Sequence, residues 1–345
     1  MEQMRQEIRE QPDVLRALVE KEYPTIRAIA EELGQRDIRY VVIAARGSSD
    51  NAATYAKYLF GAANHLPVAL AAPSLYTLYQ TPPNLQNALV LAISQSGVSP
   101  DIIAVIEEAR AQGAPTLAIT NAPDSPLGQA AERVIYLQAD EERSVAATKT
   151  YTAELMALAL LSVALNGDER ALEQLHRVPE AVARTLDLEG AIQRGVERYR
   201  YMASCAVIGR GYNYATAFEV ALKLKELNYL SATPYSSADF LHGPIAVVEP
   251  GFPVLLIAPG GRSLPDLLSL IAELKRREAE LLVISDDPQA LEHAQRPIRL
   301  PVTVEEWLSP FTAIVPGQLL AYHLALAKGL NPDQPRGLRK VTQTR

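Results

Sequence analysis

The chain has 345 residues, of which 48% are hydrophobic and 21% charged, with a formal net charge of −7. That length and apolar content fill two ordinary cores and exclude a disordered chain. The acidic balance argues against a nucleic-acid or membrane-surface partner, which calls for clustered Lys and Arg, and points to small-molecule ligands. The start carries no secretory signal and no 18-residue apolar span, and the sole cysteine, Cys205, has no partner for an internal disulfide, so a cytoplasmic protein is expected.

In chain order, the stretch EQPDVLRALVEKEYPTIRAIAEEL reads as helices, with Pro24 suited to a helix start or break. Short runs rich in Val, Ile and Leu then predict strands at 40–44, 88–93, 116–120, 134–137, 206–208, 254–258 and 281–285. Their apolarity is continuous rather than alternating, as in parallel strands covered on both faces. Helical patterns lie between them, among them DNAATYAKYLFGAAN, DIIAVIEEARAQG and LPDLLSLIAELKRRE. The expected class is therefore α/β, doubly wound around parallel sheets.

An internal repeat divides the chain. RGSSDNAATYAKYL matches RGYNYATAFEVALKL, SPDII matches LPDLL, and LAITNAP matches LVISDDP. Gly47 and Gly211 stand 164 residues apart, while Asp101 and Asp266, like Ile119 and Ile284, stand 165 apart. Three landmarks in one order at one offset predict the same βα unit used twice. The expected organisation is N-terminal helices over 1–34, a first α/β domain over 35–165, a helical linker over 166–200 that contains Pro179, a second domain over 201–330 and a C-terminal segment over 331–345.

The two copies differ where strand 88–93 hands over to its helix. There the first copy reads SQSGVS and the second, after 254–258, reads PGGRS. Ligands of open α/β sheets sit past the carboxyl ends of the strands, where helix N-termini offer unpaired N–H groups. Ser94, Gln95, Ser96 and Ser99 add side-chain donors there, and Gly97 admits a close backbone approach. The same residue types also make an ordinary helix cap. A second hydroxyl-rich turn, RGSSDN with Ser48 and Ser49, favours binding of an anion such as phosphate.

From EQPDVLR to DQPRGLRK the chain resembles the isomerase half of glucosamine-6-phosphate synthase, which is built of two sugar isomerase (SIS) domains. The resemblance rests on SQSGVS, SVAATKTYT, ALKLKEL, LHGP and DQPRGLRK in that order. It implies tandem SIS domains of flavodoxin-like αβα form, a phosphorylated amino sugar or ketose phosphate as ligand, and a homodimer. It also implies a sugar-phosphate pocket completed by Val145, Ala147, Thr148 and Lys149. The synthase carries a glutaminase domain with a catalytic cysteine directly after Met; here Glu2 follows Met1, so glutamine-driven synthesis is not expected. The same core run the other way converts glucosamine 6-phosphate to fructose 6-phosphate and ammonia. Deglycation of a fructosamine 6-phosphate, service as the isomerase component of a glutamine–fructose-6-phosphate aminotransferase-like protein, and a non-catalytic sugar-phosphate sensor are the alternatives. Two positions depart from the family pattern: Arg46, where a small residue or cysteine is common, and Ala147, where serine is usual.

Four residues carry the expected chemistry. On a helix over 214–228, Ala217, Val220, Ala221, Leu224 and Leu227 define an apolar face, and Glu219, Lys223 and Glu226 share another, which by spacing alone reads as a solvated salt-bridge face. The resemblance instead makes Glu226 the base that moves a proton between C1 and C2, with Lys223 stabilising the developing charge. It makes His242, in a loop ADFLHGP, the group that opens the sugar ring, supplied from a neighbouring subunit. By position Lys340 is a frayed tail residue; by resemblance it meets the substrate carbonyl as a Schiff base or as a charge that holds the open chain. His65, His176, His293 and His323 read as structural. Neither a metal-ligand spacing nor a dinucleotide fingerprint is present, so no metal and no cofactor is expected.

Overall fold

A computed structural model describes residues 2–340. Its strands form two five-stranded parallel sheets. The first comprises β1 (Tyr40–Ala44), β2 (Val68–Leu70), β3 (Ala88–Ile93), β4 (Thr116–Thr120) and β5 (Arg133–Tyr136), in the order β2-β1-β3-β4-β5. The second comprises β6 (Ser204–Gly209), β7 (Ser231–Ser236), β8 (Pro253–Ile257), β9 (Glu280–Ser285) and β10 (Arg296–Arg299), in the order β7-β6-β8-β9-β10. The two paths are identical, and each is the flavodoxin-like 2-1-3-4-5 order. The sequence repeat is thus a repeat of topology.

Seven strands stand where continuous apolar runs predict them. The three that this criterion misses, β2, β7 and β10, are all edge strands, and their side chains are only partly buried. An edge strand has a neighbour on one side only, so it need not be apolar throughout. β3 and β4, by contrast, are buried at every residue. Each sheet has its own core. Val42, Val90 and Ala92 pack with Ile102, Val105 and Ile106 in the first, and Ile208, Leu256 and Val283 with Leu267, Leu270 and Ile271 in the second. Each fully buried aliphatic side chain stabilises its core by about 1.5–3 kcal/mol.

The chain divides into two compact units. One, around the first sheet, comprises Gln11–Glu142, Lys149–Pro179 and residues 339–340; the other, around the second sheet, comprises residues 2–10, Arg143–Thr148 and Glu180–Leu338. The N-terminal stretch is one helix, Gln3–Leu33, that runs through Pro12 and Pro24, and helix Glu169–Leu186 runs through Pro179. Neither Pro24 nor Pro179 starts or breaks a helix as expected; each only removes one backbone donor from a helix long enough to continue.

In the second-sheet unit, helix Asn213–Asn228 packs on helix Ser309–Ala327. Gly317 sets their spacing, since a Cβ there would lie 2.3 Å from Val220 Cγ2. The later helix is long and apolar enough to cross a membrane, but 89% of that span is buried inside the protein, and its composition follows from that packing.

A polar cluster in the same unit, centred on a buried carboxylate, contributes to the acid stability. Glu189 is ion-paired to Arg5 and Arg9, and His323 Nε2 lies 3.2 Å from its Oε1. Burial alone would raise the Glu189 carboxyl, but the two guanidiniums outweigh it and hold the group at about 2. Burial lowers the His323 imidazole from its ordinary 6.5, against the pull of Glu189. Both groups are depressed in the folded state, so their stabilisation is complete above their unfolded values and is lost as pH falls. Thermal melts across acid pH are expected to fall in two stages, first below 6.5 as His323 is forced to charge, then toward about 2 as Glu189 is protonated. His323→Gln should abolish the first stage and keep the second; an unchanged profile would exclude His323 as its origin.

Candidate active site

In the first-sheet unit, β1 and β3 are neighbours, and the chain leaves them toward opposite edges of the sheet. Their carboxyl ends form the switch point where open α/β sheets bind ligands. The turn after β3 is built by its own hydrogen bonds: Ser94 Oγ accepts the Gly97 N–H at 3.2 Å, and the Gly97 carbonyl accepts from Leu127 N at 3.0 Å. Gly97 has φ +66°, and a Cβ there would fall 1.9 Å from Ser125 Oγ, so only glycine fits. Ser99 precedes helix Pro100–Ala111, yet its side chain makes no cap hydrogen bond. Gln95, Ser96 and Ser99 are half-buried, and among the described residues their side-chain polar groups have no partner. The capping explanation for Ser99 therefore falls away, and the turn offers two hydroxyls, an amide and helix N–H groups to an anion.

The turn after β1 is more mixed. Ser48 opens helix Ser48–Ala63, whereas Ser49 is buried and donates to Glu154 Oε1 at 2.7 Å, so its proton is committed within the protein. Arg46, unassigned from sequence, binds one oxygen of Asp101 through Nε at 2.9 Å and Nη2 at 2.8 Å. Asp101 is fully buried, which makes Arg46 its counter-charge. The repeat places the same pair in the second-sheet unit, where Arg210 and Asp266 stand 3.7 Å apart.

The SVAATK segment bends repeatedly before its helix and alternates in burial: Ser144, Ala146 and Thr148 are buried, Val145 and Ala147 half-buried. Within the second-sheet unit Glu7 grips it, accepting the Arg143 N–H at 2.6 Å and the Ser144 N–H at 3.2 Å, and Gln318 donates to the Thr148 carbonyl at 3.3 Å. Lys149 is buried and begins helix Lys149–Asn166. Glu142 serves that helix's first turn, accepting from Thr150 N at 3.3 Å and Thr150 Oγ1 at 2.6 Å.

Glu142 was missed by the sequence reading, and it also holds Lys340. Lys340 Nζ lies 2.9 Å from Glu142 Oε2, with the lysine side chain 25% exposed and the carboxylate fully buried. The tail before it is likewise fixed rather than frayed. Asp333 accepts the Met4 N–H at 3.0 Å, and Arg336 stacks over the Tyr229 ring at 4.1 Å. An acidic pair, Glu141 and Glu142, directly before a family motif was the only signal in the sequence.

In the second-sheet unit, helix Asn213–Asn228 presents the expected apolar face, with Ala217, Val220, Ala221, Leu224 and Leu227 all buried. The charged residues, however, do not form a solvated face. Glu219 and Lys223 are fully buried, and Lys223 Nζ lies 3.3 Å from Glu219 Oε1 and 2.7 Å from Glu226 Oε2. Burial acts to lower the Lys223 ammonium, but the two carboxylates outweigh it and raise its pKa above the ordinary lysine value. Glu226 is 23% exposed, and its contact with Lys223 is an ion pair rather than an aligned hydrogen bond. A carboxylate that is reachable from solvent and backed by a buried permanent cation suits proton transfer at a carbon acid.

ADFLHGP is not a plain loop. Ser237–Leu241 is a short helix capped by Ser236, which accepts from Asp239 N, and His242 ends it. Gly243, at φ +134°, separates it from the 3-10 turn Pro244–Val247. His242 is exposed, beside Leu241 at 49% and Val247 at 52% exposure. Cys205 lies within β6, and burial pushes its thiol up to about 12, which rules it out as a nucleophile. Among the described residues no three His, Cys, Asp or Glu side chains cluster as a metal site. In the first-sheet unit a cleft of about 460 Å³ lined by Glu32, Arg36, Thr116 and Arg133 lies at the amino ends of β4 and β5, the opposite end of the sheet from the Ser94–Ser99 turn.

A family model for the SIS domain matches residues 36–164 and 203–328, and the chain belongs to the SIS-domain family. Over 343 residues, 98% of its length, the chain is 37% identical to the isomerizing glutamine–fructose-6-phosphate aminotransferase of Pyrococcus horikoshii, and it spans 57% of that protein. The C-terminal domain of glucosamine-fructose-6-phosphate aminotransferase from Francisella tularensis superposes with a TM-score of 0.89 at 28% identity, over 96% of this chain and 98% of that one. Glucosamine-6-phosphate deaminase from Thermotoga maritima shares the fold, with a TM-score of 0.80 at 22% identity over 99% and 100% of the two chains.

Proposed function

We propose that the protein is a sugar-phosphate aldose–ketose isomerase and deaminase that converts glucosamine 6-phosphate and water to fructose 6-phosphate and ammonia. The observation that carries this reading is the half-shielded Glu226 carboxylate backed by the buried Lys223 ammonium. The Ser94–Ser99 turn takes the phosphate, with Ser48 beside it. His242 opens the pyranose ring by moving the anomeric proton. Glu226 then removes the proton from C2 of the open-chain aldehyde and returns it to C1, which leaves a ketose with a C2 imine. Lys223 stabilises the enolate-like charge that passes through this step. Water adds to the imine, the C–N bond breaks, and ammonia departs. Lys340, held by Glu142, acts in this scheme as a charge on the carbonyl oxygen rather than as a Schiff-base amine.

The same groups run the reverse amination of fructose 6-phosphate, a direction favoured by the names of the relatives of which this chain spans 57%. The assay follows ammonia and fructose 6-phosphate together from glucosamine 6-phosphate, and glucosamine 6-phosphate from fructose 6-phosphate with ammonium. Equal release of both products supports the reading. Turnover in neither direction overturns it.

The exposure of His242 among Leu241 and Val247 supports its delivery to a second copy of the chain in a homodimer. Mixing and re-annealing the inactive variants His242→Ala and Glu226→Gln should then restore part of the activity, because some mixed dimers hold one intact set of groups. Failure of the mixture to recover would place His242 in its own chain's site.

A further inference from the structure

The two hydroxyl-rich turns of the first-sheet unit meet at one cation. Arg46 lies two residues before Ser48 in the chain, and its guanidinium is bonded to Asp101, two residues after Ser99. Two residues span at most about 7 Å, so the guanidinium stands at the junction of the turns after β1 and β3, where helices Ser48–Ala63 and Pro100–Ala111 begin. Both of its contacts, from Nε at 2.9 Å and Nη2 at 2.8 Å, go to Asp101 Oδ2, while Oδ1 accepts the Ile102 N–H at 3.0 Å. One edge of the guanidinium is thus used, and the edge formed by Nη1 and the second N–H of Nη2 has no partner among the described residues. The side chain is 51% exposed, and a long exposed arginine normally samples many rotamers; here a fully buried carboxylate fixes it and leaves its second fork open to solvent.

A cation is needed there. Ser94, Gln95, Ser96 and Ser99 supply neutral donors, whereas a phosphate monoester carries about −1.5 to −2 charges at neutral pH. Two carboxylates also flank the place, Asp101 and, in the first turn of helix Ser48–Ala63, Asp50. Burial raises the Asp50 carboxyl, and Arg46 and then Lys57 pull it down, which puts both acids within the field of Arg46. We propose that Arg46 is a phosphate-binding residue: pinned by Asp101, it turns its free fork on a phosphate monoester seated in the Ser94–Ser99 turn and selects a dianion over a singly charged ester. This rests on the reading of that turn as the phosphate site. The second-sheet unit supplies the contrast. Its corresponding turn, PGGRS after β8, is closed by the chain itself, since Glu306 accepts the Arg262 N–H at 2.8 Å and the Ser263 N–H at 3.0 Å. There Arg210 stands 3.7 Å from an Asp266 that is 64% exposed and needs no counter-charge. The arginine is clamped on a buried carboxylate only in the copy whose turn is open.

The test is calorimetric titration of glucitol 6-phosphate, an open-chain ester with no carbonyl to react, and of glucitol 6-sulfate, its singly charged analogue, into the full chain and its variants. Arg46→Gln combined with Asp101→Asn removes both members of the ion pair, so no buried charge is left uncompensated. If Arg46 binds phosphate, this double variant should hold the phosphate ester about 10- to 100-fold more weakly, the usual effect of losing hydrogen bonds to a charged group. The sulfate ester should lose less, so the preference for phosphate shrinks. If Arg46 serves only to neutralise Asp101, the double variant binds both esters as the parent does, and that result overturns the proposal. Should the double variant not fold, Arg46→Lys keeps the counter-charge of Asp101 and loses the second fork; it should bind the phosphate ester about tenfold more weakly, and parental affinity overturns the proposal. Ser96→Ala with Ser99→Ala separates the two readings. Unchanged affinity in that variant refutes the turn as the phosphate site and the role of Arg46 with it. Weakened binding there, with parental affinity in the Arg46 variants, refutes the role of Arg46 alone.

Discussion

Glu226→Gln should lower the rate of ammonia and fructose 6-phosphate release by about 10²- to 10⁴-fold, the usual contribution of a positioned general base. The amide has nearly the shape of the carboxylate but cannot accept the C2 proton. Stability should change little, because Lys223 keeps its second counter-charge, Glu219, at 3.3 Å. Ligand binding should also survive, since the groups proposed to hold the phosphate lie on other elements. The measurement is initial rates in both directions together with the ligand-induced shift in melting temperature. Wild-type turnover in this variant would remove Glu226 from the mechanism, and loss of the ligand-induced shift would make it a binding residue.

Lys223→Met should be the most destabilising change in the candidate site. The lysine is fully buried and is the counter-charge of Glu219, also fully buried, and of Glu226. Its removal leaves carboxylates without compensation, one of them out of reach of water, and breaking a buried pair this way costs about 3–5 kcal/mol. The melting temperature should fall by on the order of 10 °C for a chain of this size. Adding Glu219→Gln should recover part of the loss, because the amide needs no counter-ion, while turnover stays low. Thermal melts of the single and double variants decide the matter. A double variant no more stable than Lys223→Met alone would mean that the lysine acts through packing of its stem rather than through charge.

The SQSGVS turn illustrates how far residue types reach. Ser and Gly before a helix announce a turn with many donors, and the choice between cap and anion site hinges on where one hydroxyl points. Ser99 makes no cap bond, and Gly97 is confined by Ser125, a residue 28 positions further along the chain. Arg46 was equally undecided, since its partner Asp101 lies 55 positions away.

Local pattern by itself determined the α/β class, seven of the strands, the repeat, and the helix that carries Glu226, because continuous apolarity, helical periodicity and turn residues act over a few neighbouring positions. Three of the four edge strands, β2, β7 and β10, were not legible in this way, since an edge strand lies outside the fully covered centre of its sheet. Glu219, Lys223 and Glu226 show the sharpest limit. Their spacing is that of an exposed salt-bridge face, and only the tertiary packing of the second-sheet unit, which buries Glu219 and Lys223 completely, turns it into a buried cation between two carboxylates. The capture of Lys340 by Glu142 and the closure of the second turn by Glu306 likewise join residues far apart in the chain. Burial and charge pairing depend on what arrives from elsewhere in the fold, and that is information that no window of sequence contains.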